Sequence, residues 1–236
     1  MEIKYLIIDQ KGNINYYRKG DFHSHFGVIK EKDIKTGIVK SHSNNNFTII
    51  KANFLDNLTK IKRGPAVSHP KDIGTIITTT AISQKSKVVD AGSGCANLAS
   101  HLASIGCNVT TYEINQEFYK IASENIKNLK LKVKIKNKDI YEGIEEKNLD
   151  LITLDLTEPW KVLEHAHKSL KQGSFLVCYL PTITQVQELI KQINNKFYLW
   201  KVSETLEREW YVENLKVRPK NQMLGHTAFL VFLRKI

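Results

Sequence analysis

Apolar positions along this chain follow two different rhythms. Up to about residue 62 they come as short runs at 5–8, 14–17, 37–39 and 47–50, rich in Ile, Val, Tyr and Phe. Polar turns such as Asp9-Gln10-Lys11-Gly12-Asn13 and the stretch 41–46 separate them. Several short β-rich runs at this spacing predict the strands of a small β-barrel or sandwich. Beyond residue 86 the rhythm alternates. A β-branched run at 87–89 precedes Leu98, Leu102 and Ile105 at helical spacing, with Gly106 as a stop. A run at 108–112 then precedes Phe118, Ile121, Ala122, Ile126 and Leu129, again at helical spacing. Further runs at 133–135, 149–156, 175–180, 198–202 and 227–233, with a helical stretch at 184–196, complete the pattern. Alternating strands and helices predict an α/β domain with a largely parallel, seven-stranded sheet that ends in an antiparallel hairpin. The expected division is 1–62 for the β domain and 63–236 for the α/β domain. Near the start of the second, Pro70 stands where a helix would begin, and Asp72 lies in its first turn, which suits the helix dipole.

Chemistry concentrates at Lys87-Val88-Val89-Asp90-Ala91-Gly92-Ser93-Gly94-Cys95-Ala96-Asn97-Leu98. A strand ends at a carboxylate, and a Gly-x-Gly turn opens directly into a helix. Without Cβ atoms, Gly92 and Gly94 allow a tight turn and let a ligand lie against bare backbone beside a helix N-terminus. Glu113 ends the next strand, where an acid can take both ribose hydroxyls of an adenosine. Asp139, with Ile140 behind it, follows the strand after that and can accept from an adenine amino group. A helix cap is the alternative for Asp139, but Asp90, Glu113 and Asp139 would all end strands on the same edge of a parallel sheet, which favours the ligand role. The dinucleotide fingerprint needs a third glycine where Asn97 stands. The pattern Asp-x-Gly-x-Gly-x-Ala instead resembles motif I of class I S-adenosylmethionine-dependent methyltransferases, which are Rossmann-like. Candidate contacts to that cofactor are therefore Asp90, Gly92, Ser93, Gly94, Ala96, Asn97, Leu98, Glu113, Asp139 and Ile140. Ala96 replaces the motif's usual glycine, a mild departure if that position only lets the helix pack on the sheet.

Composition narrows the partner. The 35 basic against 24 acidic residues give a net charge of +11, which favours an anionic partner. Nucleic acid ranks ahead of a membrane, because the sequence shows no long apolar or amphipathic basic segment. With no signal peptide visible, an intracellular, cytoplasmic setting is expected. The scattered Cys95, Cys107 and Cys178 argue against a metal site or a disulfide framework. His23 and His25 alternate with aromatics; without a third ligand they read as strand-surface residues before they read as a metal pair.

The predicted fourth strand of the second domain ends in Leu154-Asp155-Leu156-Thr157-Glu158-Pro159-Trp160. In a doubly wound sheet this strand end lies beside the cofactor crevice. A carboxylate there can orient an exocyclic amine and stabilise positive charge that develops on an acceptor nitrogen. Taken in order, Arg63 to Asp72, Asp90 to Ala96, Asp155 to Trp160, Leu180-Pro181-Thr182 with Gln185, and Arg218-Pro219 with Gly225-His226-Thr227-Ala228-Phe229-Leu230 resemble the TrmI family of tRNA (adenine-N1)-methyltransferases. The resemblance runs over nearly the whole chain. It implies a Rossmann-like catalytic domain behind a small β-barrel, S-adenosylmethionine as donor, tRNA as substrate and a homotetramer. It also implies that Asp155 recognises the target adenine of the T loop and that His69 stands next to it. Archaeal members with His at that place modify adenosines 57 and 58, so His69 points to that pair of positions. Two departures stand out. Thr157 replaces the usual Pro, which would loosen the acceptor loop, and Ala66 replaces a common Gln. The alternatives are a non-catalytic tRNA-binding subunit with a vestigial cofactor fold, and a methyltransferase for another substrate.

Overall fold

The computed structural model describes residues 2–64 and 67–236, so the reading of Ala66 falls outside the described residues. Two compact units emerge, Met1–Ile61 and Lys62–Ile236. In the first, strands β1 (Tyr5–Ile8), β2 (Ile14–Tyr17), β3 (Phe22–Ser24), β4 (Gly27–Ile29), β5 (Gly37–Lys40) and β6 (Asn46–Lys51) precede a short helix α1 (Phe54–Leu58). They form an antiparallel sheet in the order β2-β1-β6-β5 and a β3–β4 ribbon. Alternation along β6 buries Phe47 and Ile49 and exposes Thr48 and Ile50, as a half-buried strand requires. Phe47 and Ile49 share a core with Ile7, Tyr17, Val39 and, from the ribbon, Ile29. His23 is exposed on β3, and among the described residues no group of three or more His, Cys, Asp or Glu could hold a metal ion.

The second unit runs α2 (Pro70–Thr80), β7 (Lys87–Ala91), α3 (Asn97–Ser104), β8 (Asn108–Tyr112), α4 (Gln116–Asn128), β9 (Val133–Lys136), β10 (Leu149–Leu154), α5 (Leu163–Ser169), β11 (Leu170–Leu180), α6 (Ile183–Gln192), β12 (Phe197–Ser203), β13 (Trp210–Glu213), β14 (Lys216–Pro219) and β15 (Phe229–Lys235). The seven-stranded sheet has the order β12-β15-β11-β10-β7-β8-β9. β11, β10, β7, β8 and β9 run parallel, whereas β15 is antiparallel to both β11 and β12. This is the class I methyltransferase arrangement, with the reversed strand expected from the closing hairpin. Among the described residues no helix is long and apolar enough to cross a membrane.

Both faces of the sheet carry cores. One gathers Val89, Ile152, Leu154, Leu163, Leu176 and Val231; the other gathers Ile73, Ile76, Val88, Leu102, Val109, Leu151 and Phe232. Successive residues of β7 and β10 therefore point into opposite cores, which explains their unbroken apolar runs. β13 and β14 pair as a ribbon in the stretch between the predicted runs at 198–202 and 227–233, where the sequence predicts no strand. Nearly every residue of the ribbon is exposed, so no core of this chain covers its apolar residues Trp210, Val212 and Val217.

Register places the chemistry. Ala91 stands opposite both Leu154 and Tyr112, and Tyr112 opposite Lys136. Residues that follow these four positions consequently leave the sheet along one edge, where the strands' carboxyl ends lie.

Candidate active site

Asp90 closes β7 between its two neighbours. Thr111 of β8 donates to its Oδ2 at 2.7 Å and Thr153 of β10 to its Oδ1 at 2.8 Å. Burial pushes its carboxyl up to about 6 against these two hydroxyls, and the Glu113 charge adds to the rise. Gly92 follows at φ +83°, a conformation natural only to glycine. A Cβ there would overlap the Asp155 carbonyl oxygen and lie 3.1 Å from its carbonyl carbon. The space that this glycine leaves open is therefore filled by the end of β10, and the Asp155 N–H donates to Ala91 O at 2.9 Å alongside it. The donor and acceptor strand ends are in direct backbone contact.

Glu113 is buried and shapes the same turn. Its Oε2 accepts the Gly94 N–H at 3.0 Å and its Oε1 accepts the Asn115 N–H at 2.9 Å. Each oxygen keeps a further lone pair. Gly94 itself sits at φ +53°. The Ser93 hydroxyl is spent internally, 2.6 Å from Thr111 Oγ1 and donating to Tyr112 O at 3.1 Å. The Asn97 amide donates to Ser68 O at 2.7 Å and so fixes the segment before α2 to the start of α3. Leu98 and Ile140 are buried in the two cores. Asp139 caps the short turn that follows it, accepting the Tyr141 N–H at 2.8 Å through Oδ1, which leaves Oδ2 for another partner.

Ala96 departs from expectation in its cause. It occupies φ +63°, the left-handed region, at the N-cap of α3, where a Cβ costs about 1–2 kcal/mol. Its methyl is also completely buried, a gain of about 0.8 kcal/mol, and glycine would add backbone entropy to the unfolded chain. The two sides nearly cancel. Ala96→Gly is therefore expected to shift the stability measured by urea unfolding by less than about 1 kcal/mol; a stabilisation of 2 kcal/mol would mean that the methyl contributes nothing.

Asp155 and Asp90 line one cleft with Ser68, Gly92, Ser93 and Asn97. The Asp155 side chain is open to solvent on one side. Surrounding protein withdraws its carboxyl from water and, with the Asp90 charge, pushes it up to about 7. Among the described residues none donates a hydrogen bond to it. His69, one residue beyond Ser68, is the exposed N-cap of α2 and makes no cap bond with its side chain. Two crowded carboxyls, a third acid (Glu113) just past β8 and a bare-backbone turn form a set of groups suited to a ligand with a ribose and a positive charge.

The structure also brings in Tyr141 and Tyr179, to which sequence reasoning gave no role. Gln185 Nε2 donates to Thr157 O at 3.1 Å and the Glu158 N–H donates to Tyr141 Oη at 3.2 Å, so the acceptor loop is tied down at two points although Thr157 replaces the usual proline. Thr182-x-x-Gln185 carries the capping-box spacing that could have flagged this helix start. Tyr179 Oη donates to Asp72 Oδ2 at 3.2 Å, and Asp72 is wholly buried against Lys71 at 2.8 Å. Burial and the charges of Asp72 and Asp155 raise the Tyr179 phenol.

Comparison with known proteins agrees with this geometry. Residues 61–222 match the family described as the tRNA methyltransferase complex GCD14 subunit. The chain is 32% identical to tRNA (adenine(57)-N(1)/adenine(58)-N(1))-methyltransferase TrmI of Methanocaldococcus jannaschii, over 97% of this chain and 94% of that one. Among solved structures it superposes on tRNA (m1A58) methyltransferase TrmI from Aquifex aeolicus with a TM-score of 0.82 and 30% identity, covering 99% and 96% of the two chains. A SAM-dependent O-methyltransferase from Thermotoga maritima gives 0.83 at 26% identity, covering 99% and 93%.

Proposed function

Because the chain belongs to the family described as the tRNA methyltransferase complex GCD14 subunit, we propose that it methylates N1 of adenosine in the tRNA T loop, at position 58 and also at position 57. S-adenosylmethionine is the donor, and supplies a methyl group activated by a sulfonium charge. The observation that carries this reading is Asp155, which follows β10 directly and stands in backbone contact with Gly92 of the donor turn. Position 57 rests on His69 and on the likeness to the Methanocaldococcus relative, whose name includes both positions.

Adenine N1 has a lone pair and no proton, so the chain needs no general base before attack. The target must first leave its stack, at a cost of roughly a few kcal/mol. His69 packs against the flipped base, and Asp155 accepts a hydrogen bond from the exocyclic amine. As the ring acquires positive charge, the fixed carboxylate stabilises it. Glu113 would hold the ribose hydroxyls of the donor and Asp139 its adenine amine, and the charges of Asp90 and Asp155 would suit its cation. The remaining named cofactor residues, Gly92, Ser93, Gly94, Ala96, Asn97, Leu98 and Ile140, shape the turn and the walls around it.

The protein acts as a cytoplasmic homotetramer on this reading. Tyr198, Trp200, Trp210, Val212, Leu215 and Val217 are exposed on β12 and on the β13–β14 ribbon with its turn, an apolar surface that suits cover by further copies.

Methyl transfer from labelled S-adenosylmethionine to unmodified tRNA, followed by nucleoside digestion and mapping, tests the reaction. Label in 1-methyladenosine at 58 and 57 is expected. Label at 58 alone removes the role assigned to His69, and tRNA binding without any incorporation supports the non-catalytic subunit.

A further inference from the structure

At the opposite edge of the sheet lies a groove of about 560 Å³, lined by Lys87, Asn108, Lys132, Lys134, Glu146 and Lys147 among others. Its origin is visible in the sequence. Leu131-Lys132-Val133-Lys134-Ile135-Lys136 alternates strictly, so along β9 the apolar side chains face one way and the lysines the other. Leu131, Val133 and Ile135 pack on the core that contains Val109 and Ile126. Lys136 is covered, bonded to Glu145 at 2.7 Å and Glu146 at 2.5 Å, with its ammonium over the Tyr112 ring. Lys132 and Lys134 are exposed instead, and Lys87 reaches the same groove from the start of β7.

Acids near the groove are already engaged. Glu146 takes Lys136 and the Tyr112 hydroxyl, and Asp150 takes Lys171 at 2.5 Å and the Lys87 backbone N–H at 2.8 Å. Lys147 is directed to Ile144 O and Ser169 Oγ. Among the described residues no ion pair is formed by Lys87, Lys132 or Lys134. Lys87 from β7 and Lys132 and Lys134 from the start of β9 thus line one groove without a direct ion pair, and the nearby acids Glu146 and Asp150 are bonded to Lys136 and Lys171.

Lysines on an edge strand commonly serve a plainer purpose: they stop β9 from pairing with another chain. That purpose explains Lys132 and Lys134 but not Lys87, which stands on a strand in the middle of the sheet. We propose that this groove binds the sugar-phosphate backbone of the tRNA substrate, at a place separate from the methyl-transfer site. The proposal rests on the tRNA reading above. Strands of four or five residues put the two edges of the sheet only about 16 Å apart, a short span beside a folded tRNA. Ammonium groups at fixed spacing suit a phosphate chain: they add affinity that is independent of base sequence and falls with salt.

The test is the triple variant Lys87→Gln, Lys132→Gln, Lys134→Gln. We expect KM for full-length tRNA to rise roughly tenfold or more at physiological salt, and the slope of log Kd against log salt to fall by about two to three. Turnover at saturating tRNA, S-adenosylmethionine affinity and the melting temperature should stay at the wild-type values. Lys→Arg at the same positions should retain binding. Removing the same charge at Lys32, Lys35 and Lys51 controls for net charge, and an equal loss there would overturn the proposal. Unchanged KM and salt slope would overturn it too. So would a variant that self-associates but binds tRNA normally, since edge protection would then be the whole role. A wild-type protein that neither binds nor methylates tRNA would instead remove the functional reading itself.

Discussion

Asp155→Ala lowers turnover on tRNA by about a hundredfold to a thousandfold and leaves S-adenosylmethionine affinity within a few fold of wild type. The size follows from what the carboxylate does. Loss of one preorganised electrostatic partner of a developing charge typically costs 10²–10³ in rate. The alanine also removes the acceptor for the adenine amine, so misorientation adds to the loss. The backbone contact between Asp155 and Gly92 uses main-chain atoms and survives the substitution, which is why the donor turn should remain intact. Asp155→Asn separates charge from shape, since it can still accept a hydrogen bond but cannot neutralise the ring. It should recover orientation and remain slow. Single-turnover methyl transfer with donor binding measured in parallel decides the matter, and wild-type-like turnover in either variant would take Asp155 out of the mechanism.

The same carboxyl makes activity depend on pH. Its pKa is raised to about 7 by withdrawal from water and by Asp90, so the ionised form is lost as pH falls through that value. Turnover should therefore decline on the acidic side of about pH 7. The inflection in kcat should lie below the one in kcat/KM for the donor, because a bound cation favours the ionised carboxylate. Asp155→Asn should flatten this limb.

Much of this site can be read from the sequence because strands report their ends. Asp90, Glu113, Asp139 and Asp155 each stand at or just past the end of a predicted strand, and parallel pairing sends such residues to one edge. What sequence cannot show is which atoms occupy the space a glycine leaves. Gly92 looks like a cradle for a ligand, but its open side is taken by the Asp155 carbonyl. Ala96 looks like a tolerated packing change, but it is a left-handed residue whose buried methyl offsets its strain. Asn97 looks like part of the cofactor turn, yet its amide is committed to Ser68. Each of these depends on a neighbour far away in the chain. Short-range periodicity carries no information about such neighbours, and the β13–β14 ribbon is missed for a related reason: no core imposes a period on it.

The Lys71–Asp72 pair is the plainest instance, and it sets the second large effect. In the sequence these are two charged residues in a helix first turn. In the fold Asp72 is fully buried, with Oδ1 on the Lys71 ammonium at 2.8 Å and Oδ2 accepting from Thr227 Oγ1 at 2.8 Å and Tyr179 Oη at 3.2 Å. Lys71 also donates to Thr227 Oγ1 at 2.6 Å. The cluster joins α2, just past His69, to the end of β11 and the approach to β15. Asp72→Ala should destabilise the protein by about 3–5 kcal/mol, because it leaves a buried ammonium without its counter-charge. In thermal unfolding that corresponds to a drop of about 10 °C. A buried pair contributes far less net stability than its rupture costs, so Lys71→Met combined with Asp72→Leu should regain much of the loss. Recovery will be incomplete, since the Thr227 and Tyr179 hydroxyls stay without an acceptor. If the double variant melts as low as Asp72→Ala, the stranded charge is not the cause, and the hydroxyl network carries the stability instead.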